Sequence, residues 1–278
     1  MYRKTLSAPI FVIASFFLLC HVLETNLSSG EPLIEQLEDP HWRNRSEAFY
    51  ALLALAGPGL DSRSALTSLL KSAPEKSDEI KLALIKLLER ENAFLEEYAK
   101  DYRITNVPLG EESGEYYADL IAAVSSLKDI RSLDALLGAI RTGTMVTDAL
   151  AEFGLAAVDP VIQKLNNREE RLPAVITLGQ MLEPRNYPKV SDPASREKIK
   201  KALINATSDQ SDSVRLLAIE GLAKLGDADV IPFIENAAIN DPYDQSEFIR
   251  GLGGKPDKKN FYPVRERAKE LLEKLKKK

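Results

Sequence analysis

Chemistry in a protein needs groups that attack, ligate or carry a proton, and this 278-residue chain is sparing with most of them. Its two histidines are His21 and His41, and its one cysteine is Cys20. Zinc and iron sites gather several His, Cys or carboxylate ligands at one point, and two isolated histidines do not make a set. A nucleophilic triad needs a base beside Ser or Cys; His41, next to Trp42, reads instead as a surface residue in a first helical turn. Gly251-Leu252-Gly253-Gly254-Lys255 resembles a phosphate loop at a glance. It lacks the four-residue spacing between glycines and the Ser or Thr after the lysine that cradle a nucleotide. Acidic residues number 42, but Glu and Asp on helix surfaces are usually solvated faces. The expectation is a protein with no catalytic, cofactor-binding or metal-binding residue. One alternative stays open, an accessory or lyase-like enzyme domain whose carboxylates work in a groove. Clustered acids with raised pKa would favour it.

Binding chemistry is better represented. Three segments exceed what a connector requires, and such loops project where partners bind. Residues 103–115 run into Tyr116-Tyr117; residues 183–195 hold Pro184, Tyr187, Pro188 and Pro193; residues 240–263 combine Pro242, Tyr243, Phe248, Arg250, four glycine or lysine positions up to Lys255, Lys258, Lys259, Phe261 and Tyr262. Aromatic and Arg side chains on an exposed loop are common anchors of protein interfaces. The expected protein-binding residues are Arg250, Lys255, Phe261 and Tyr262, with Tyr116 and Tyr117 beside the first loop. In the alternative reading, Phe248 and Phe261 simply pack the loop onto its own repeat.

The elements that must position these residues are repeated. Val146-x3-Leu150-x2-Phe153-Gly154 with Val158-Asp159-Pro160-Val161-Ile162 returns 72 residues later as Ala218-x3-Leu222-x2-Leu225-Gly226 with Val230-Ile231-Pro232-Phe233-Ile234. Apolar residues at i, i+4 and i+7 stripe one side of a helix. Glycine then ends it by taking the left-handed conformation cheaply, and a proline six residues on suits the first turn of a second helix. Each unit is helix A, tight turn, helix B, with Asp212 or Ser213 as N-cap of the best copy. Weaker copies place the helix A anchors at Ala48, Leu84, Leu120, Val146, Ala174, Ala218 and Ala268. The last unit is a half, its single helix ending in Lys274, Lys276, Lys277 and Lys278, which suit the negative end of a helix and a polar cap.

The copy at 208–241 resembles a HEAT repeat through its Asp before the helix, Val214-Arg215, Ala218, Leu222, Leu225-Gly226 and Pro232. It is similar to the short bacterial kind found in bilin lyases. The resemblance implies an all-α fold, an α-solenoid of about seven stacked antiparallel helix pairs that presents a curved surface to another protein. HEAT-repeat hydroxylases hold two irons with His-Glu pairs, which two histidines cannot supply. Bilin lyases work in the cytoplasm, and the N-terminus argues against carrying that activity over.

That N-terminus begins Arg3-Lys4, followed by an uncharged apolar run from Thr5 to Leu23 that Glu24 closes. It reads as a secretory signal with Ser28-Ser29-Gly30 for cleavage, or as an uncleaved anchor, since nineteen residues span a bilayer. A lipoprotein signal at Cys20 is a third reading, against which Leu19 stands. All three put the repeats outside the cytoplasm, so residues 1–30 are expected to be a signal peptide or anchor and 31–278 the repeat domain. The protein is then periplasmic, secreted or anchored, with membrane contact through the N-terminal segment alone. A mature chain without cysteine relies on packing, not disulfides. The sequons at Asn26, Asn44 and Asn205 are set aside because the repeat style is bacterial. The net charge of −5 and the mixing of Lys and Arg with acids leave no basic footprint, so nucleic acid is not an expected partner. Hydrophobic content of 44% with 28% charged residues is that of a packed chain rather than a disordered one.

Overall fold

The computed structural model describes residues 31–100, 111–183, 190–245 and 261–277, with the side chains of 31–32, 98–100, 111–113 and 145 left aside. Every regular element among them is helical, so the fold is all-α. The contacts gather into two compact units, one running to Leu127 and one starting at Lys128. Each is a short stretch of α-solenoid. The seven helix A anchors, Ala48, Leu84, Leu120, Val146, Ala174, Ala218 and Ala268, are all buried. The apolar stripe read from the sequence is therefore the core.

The first unit contains α1 (Glu31–Gln36), α2 (Trp42–Ala54), α3 (Ser62–Ser72), α4 (Ser77–Lys100) and α5 (Glu111–Ser126). Gly57 and Gly59, both at positive φ, turn the chain between α2 and α3. Asp61 then caps α3 by accepting from the Arg63 and Ser64 amides, which satisfies donors that have no partner inside the helix. The anchor series Ile80, Leu84 and Leu88 falls on one continuous helix of 24 residues. α3 and α4 both pack on α5, burying Leu66, Leu84, Leu88, Leu120 and Val124.

The second unit contains α6 (Leu133–Gly138), α7 (Thr144–Glu152), α8 (Leu155–Lys164), α9 (Arg171–Met181), α10 (Pro193–Ala206), α11 (Asp212–Leu225), α12 (Ile231–Asn240) and α13 (Pro263–Lys276). The pairs α7–α8, α9–α10 and α11–α12 and the closing α13 match the expected copies. α9 and α11 approach closely at Gly179 and Gly221: a Cβ on Gly221 would sit 2.8 Å from Leu203 Cδ1, inside van der Waals contact.

Local details differ from the sequence reading in three places. Gly226 is left-handed at φ 71°, ψ 10° as expected, but Gly154 takes φ 55°, ψ −123° and α8 starts directly after it. Pro160 thus lies inside α8 instead of in its first turn, where Pro232 does lie in α12. The N-cap of α11 is Ser211, not Asp212 or Ser213, because Asp209 Oδ1 accepts from the Ser211 amide at 2.8 Å and turns the chain one step earlier. α13 behaves as a cap: Lys269 and Glu273 are exposed at the positions where α11 buries Ile219 and Ala223, and Lys274 and Lys276 occupy its last turn.

Candidate functional site

Four helix A copies share Arg-x2-Ala-x3-Leu, at Arg45-Ala48-Leu52, Arg171-Ala174-Leu178, Arg215-Ala218-Leu222 and Arg265-Ala268-Leu272. The arginine has one job in all of them. Arg45 Nη1 donates to the carbonyl of Asp39 at 2.8 Å, Arg171 Nε to that of Leu165 at 3.0 Å, and Arg215 Nη1 to that of Asp209 at 2.9 Å, each across six residues. The guanidinium then takes a carboxylate: Arg45 holds Glu91 through Nε and Nη2 at 2.6 and 3.0 Å, Arg171 holds Asp209 at 3.1 Å, and Arg215 holds Asp241 at 2.7 and 3.0 Å. Two parallel bonds to one carboxylate are stronger and more directional than a point-charge contact. Glu91 and Asp241 are buried, so these pairs must be satisfied to be tolerated at all. The result in the second unit is a ladder from Leu165 through Arg171, Asp209 and Arg215 to Asp241.

At Asp241 the ladder crosses an insertion. Asp39 and Asp209 each fold an Asx turn onto the amide two residues on, at 2.7 and 2.8 Å, and Asp241 does the same with the Tyr243 amide at 3.0 Å. Asp241 therefore opens a repeat as they do. Burial pushes its carboxyl up, but the Arg215 guanidinium and the Tyr243 amide outweigh that and hold it below the usual aspartate value. The arginine that follows lies 24 residues away instead of six, yet Arg265 Nε still reaches the Asp241 carbonyl at 2.6 Å. Arg265 also sits 4.1 Å over the Tyr262 ring, a cation–π contact. The Gln245 amide donates to the Phe261 carbonyl at 2.8 Å, and Gln245 Nε2 to the Tyr243 hydroxyl at 2.6 Å. The insertion is thus pinched at a neck built from Asp241, Tyr243, Gln245, Phe261, Tyr262 and Arg265.

Of the residues expected to bind a partner, Phe261 is 39% exposed at this neck and Tyr262 is partly exposed there. Arg250 and Lys255 lie outside the described residues, as do Phe248, Pro184, Tyr187, Pro188 and residues 1–30. Tyr116 and Tyr117 require a correction in placement. α5 begins at Glu111, so both tyrosines stand inside a helix and do not border a loop. Tyr116 is 2% exposed, packed against Phe49 at 5.7 Å, with its hydroxyl donating to Glu91 at 3.0 Å. It completes the buried Arg45–Glu91 node. Burial, then the Glu91 charge, pushes its phenol far up, and the same causes raise Tyr117, whose hydroxyl is bonded to Asn92. Likewise Pro193 is the first residue of α10, capped by Asp192 accepting from the Ser195 amide at 2.8 Å. The arginines and their acids do not stand out as a set in the sequence, although an Arg three residues before the anchoring alanine is legible in these four copies.

A half-open groove of about 260 Å³ between α1 and α4 has Leu37 and Leu87 among its walls, with Lys86 and Arg90, and Glu38 is its one acid. Among the described residues, the carboxyls whose pKa is displaced, Asp39, Asp61, Asp192 and Asp241, are all displaced downward, in the first three mainly by amide and hydroxyl donors. Neither feature is the cluster of proton-holding acids that groove catalysis would need.

No protein-family model matches this chain, and no curated protein does. Among solved structures, a computationally designed armadillo repeat protein for modular peptide recognition is 14% identical over 87% of this chain and 98% of its own, with a TM-score of 0.42. A second designed armadillo repeat protein is 16% identical over 88% of this chain and 98% of its own, and an engineered protein is 16% identical over 89% and 96%, both with a TM-score of 0.41. These are distant likenesses between helical-repeat chains.

Proposed function

We propose that this chain is an exported, non-catalytic scaffold of HEAT-like repeats that holds a protein partner through the insertion after Asp241. The observation that carries the reading is the ladder's continuity: Arg265 makes the contact that Arg215 makes, across 24 residues instead of six. Closure of the repeat needs only the short form, so the added chain is free to serve another purpose. Its sequence holds Phe248, Arg250, Lys255, Lys258 and Lys259, and its neck presents Phe261, the mixture of aromatic and cationic groups that anchors interfaces. Export rests on Arg3-Lys4 and the apolar run from Thr5 to Leu23. No helix among the described residues is long and apolar enough to cross a membrane, so any anchoring is assigned to that run.

Two measurements test this reading. N-terminal sequencing of protein from its native host should find cleavage near Ser28-Ser29-Gly30, or an intact Met1 in the membrane fraction; an intact Met1 on soluble cytoplasmic protein contradicts export. Immobilised protein should retain a specific envelope protein, identified by mass, and variants altered in the insertion should retain less of it.

A further inference from the structure

The groove between α1 and α4 in the first unit has an apolar floor and a cationic rim. Leu37 and Leu87 form the floor, each 2% exposed, with Ile34 and Ala83 partly exposed beside them. Lys86 and Arg90 form the rim, both exposed. On α4, Ala83, Lys86, Leu87 and Arg90 follow at i, i+3, i+4 and i+7, so apolar and cationic groups share one stripe of the helix. Arg90 repeats a geometry seen twice elsewhere in the chain. Arg45 and Arg215 each place Nη1 on a backbone carbonyl and hold a carboxylate through Nε and Nη2. Arg90 likewise places Nη1 on the carbonyl of Glu38, in the turn after α1. Its Nε and Nη2 have no acceptor among the described residues, and neither Arg90 nor Lys86 pairs there with a carboxylate.

We infer that this groove binds a short aliphatic carboxylate, its carboxyl between Arg90 and Lys86 and its chain along Leu87 and Leu37. The two cations stand one helical turn apart, about 6 Å along the axis, so one carboxylate meets both. The paired donors of a guanidinium match a carboxylate in plane and spacing, as they do at Glu91 and Asp241. The volume of about 260 Å³ sets the size of the ligand. At roughly 30 Å³ for each heavy atom with its hydrogens, taking the share of a water molecule as a guide, it holds about eight, the size of hexanoate. The Glu38 carboxylate at the rim opposes the ligand, yet leaves the lining with one more cation than acid. The site lies in the first unit and is independent of partner capture by the insertion after Asp241.

The test is a calorimetric titration of hexanoate into protein purified from its host. Binding should be saturable, with a Kd of about millimolar, as expected for so few atoms. Propanoate should bind about tenfold or more weakly, since it lacks three methylenes, and 1-hexanol should lose a similar factor with the charged head. Lys86→Gln and Arg90→Gln should each weaken hexanoate several-fold, Glu38→Gln should strengthen it, and Ala83→Trp should fill the groove and abolish binding at unchanged helicity. Lys81→Gln, on α4 but outside the groove, and replacement of residues 247–259 should change nothing. An absence of saturable binding, hexanol as tight as hexanoate, or undiminished binding in folded Ala83→Trp and Lys86→Gln variants overturns the inference. If Arg90→Gln loosens α1, Lys86→Gln and Ala83→Trp decide.

Discussion

At the scale of single residues, the arginine after each repeat-opening turn is the determinant that matters most. Arg215 and Asp241 have side chains 10% and 4% exposed, so removing one strands the other in a poorly solvated place. Arg215→Ala should cost about 3–5 kcal/mol in urea denaturation, whereas truncating Lys198, whose pair with Asp159 is exposed on both sides, should change little. The same pair sets an acid limb. Because Asp241 is held below its unfolded value of about 3.9, its contribution is complete above that pH and is lost as pH falls through the lower folded value. Stability should therefore drop below about pH 4, and Asp241→Asn should flatten that drop while lowering stability at neutral pH. Lys128 is the other notable residue. It has φ 50°, the one non-glycine at positive φ among the described residues, in the place that Gly226 fills after α11. Lys128→Gly should raise stability in urea denaturation by about 0.5–1 kcal/mol, the left-handed cost relieved less the glycine entropy and an exposed ion pair with Glu152.

At the scale of elements, the periodicity carried most of the information. Every helix A anchor is buried because a stripe at i, i+4 and i+7 has no other way to leave water. Leu222→Ala and Leu150→Ala should each cost about 2–5 kcal/mol by opening a cavity in fully buried positions; a shift no larger than that of a surface substitution would break the alignment of the two copies. What the sequence could not show is partner choice. Arg45, Arg171, Arg215 and Arg265 all precede their alanines by three residues, but their acids lie 46, 38 and 26 residues on in the first three cases. Spacing that irregular has no signature in one chain. Tyr116 failed as an exposed anchor for a related reason: Tyr116-Tyr117 follows a glycine-rich acidic stretch that reads as loop, and only packing against Phe49 and the Glu91 acceptor turns it inward. Pro160 shows the converse, a copied proline whose helix begins earlier because Gly154 adopts a different ψ.

At the scale of the molecule, the proposed function assigns folding and binding to separable parts of the chain. Stacked helices and the arginine ladder account for stability, and Lys269 and Glu273 give α13 polar residues on the side turned away from the stack, while Val264, Ala268 and Leu271 are buried. The insertion after Asp241 hangs from that frame by a neck whose bonds, Gln245 to Phe261 and Arg265 to Asp241, can persist without the chain between them. The central claim is that this inserted chain binds and does not fold the protein. Its most direct test is to replace residues 247–259 with a short Gly-Ser linker, keeping Gln245, Phe261, Tyr262 and Arg265, and to measure affinity for the captured envelope partner beside circular dichroism and thermal unfolding. The account predicts unchanged helicity and midpoint with binding weakened by about tenfold or more, as expected for loss of interface anchors. Unfolding of the variant, or undiminished affinity in a folded one, would contradict it.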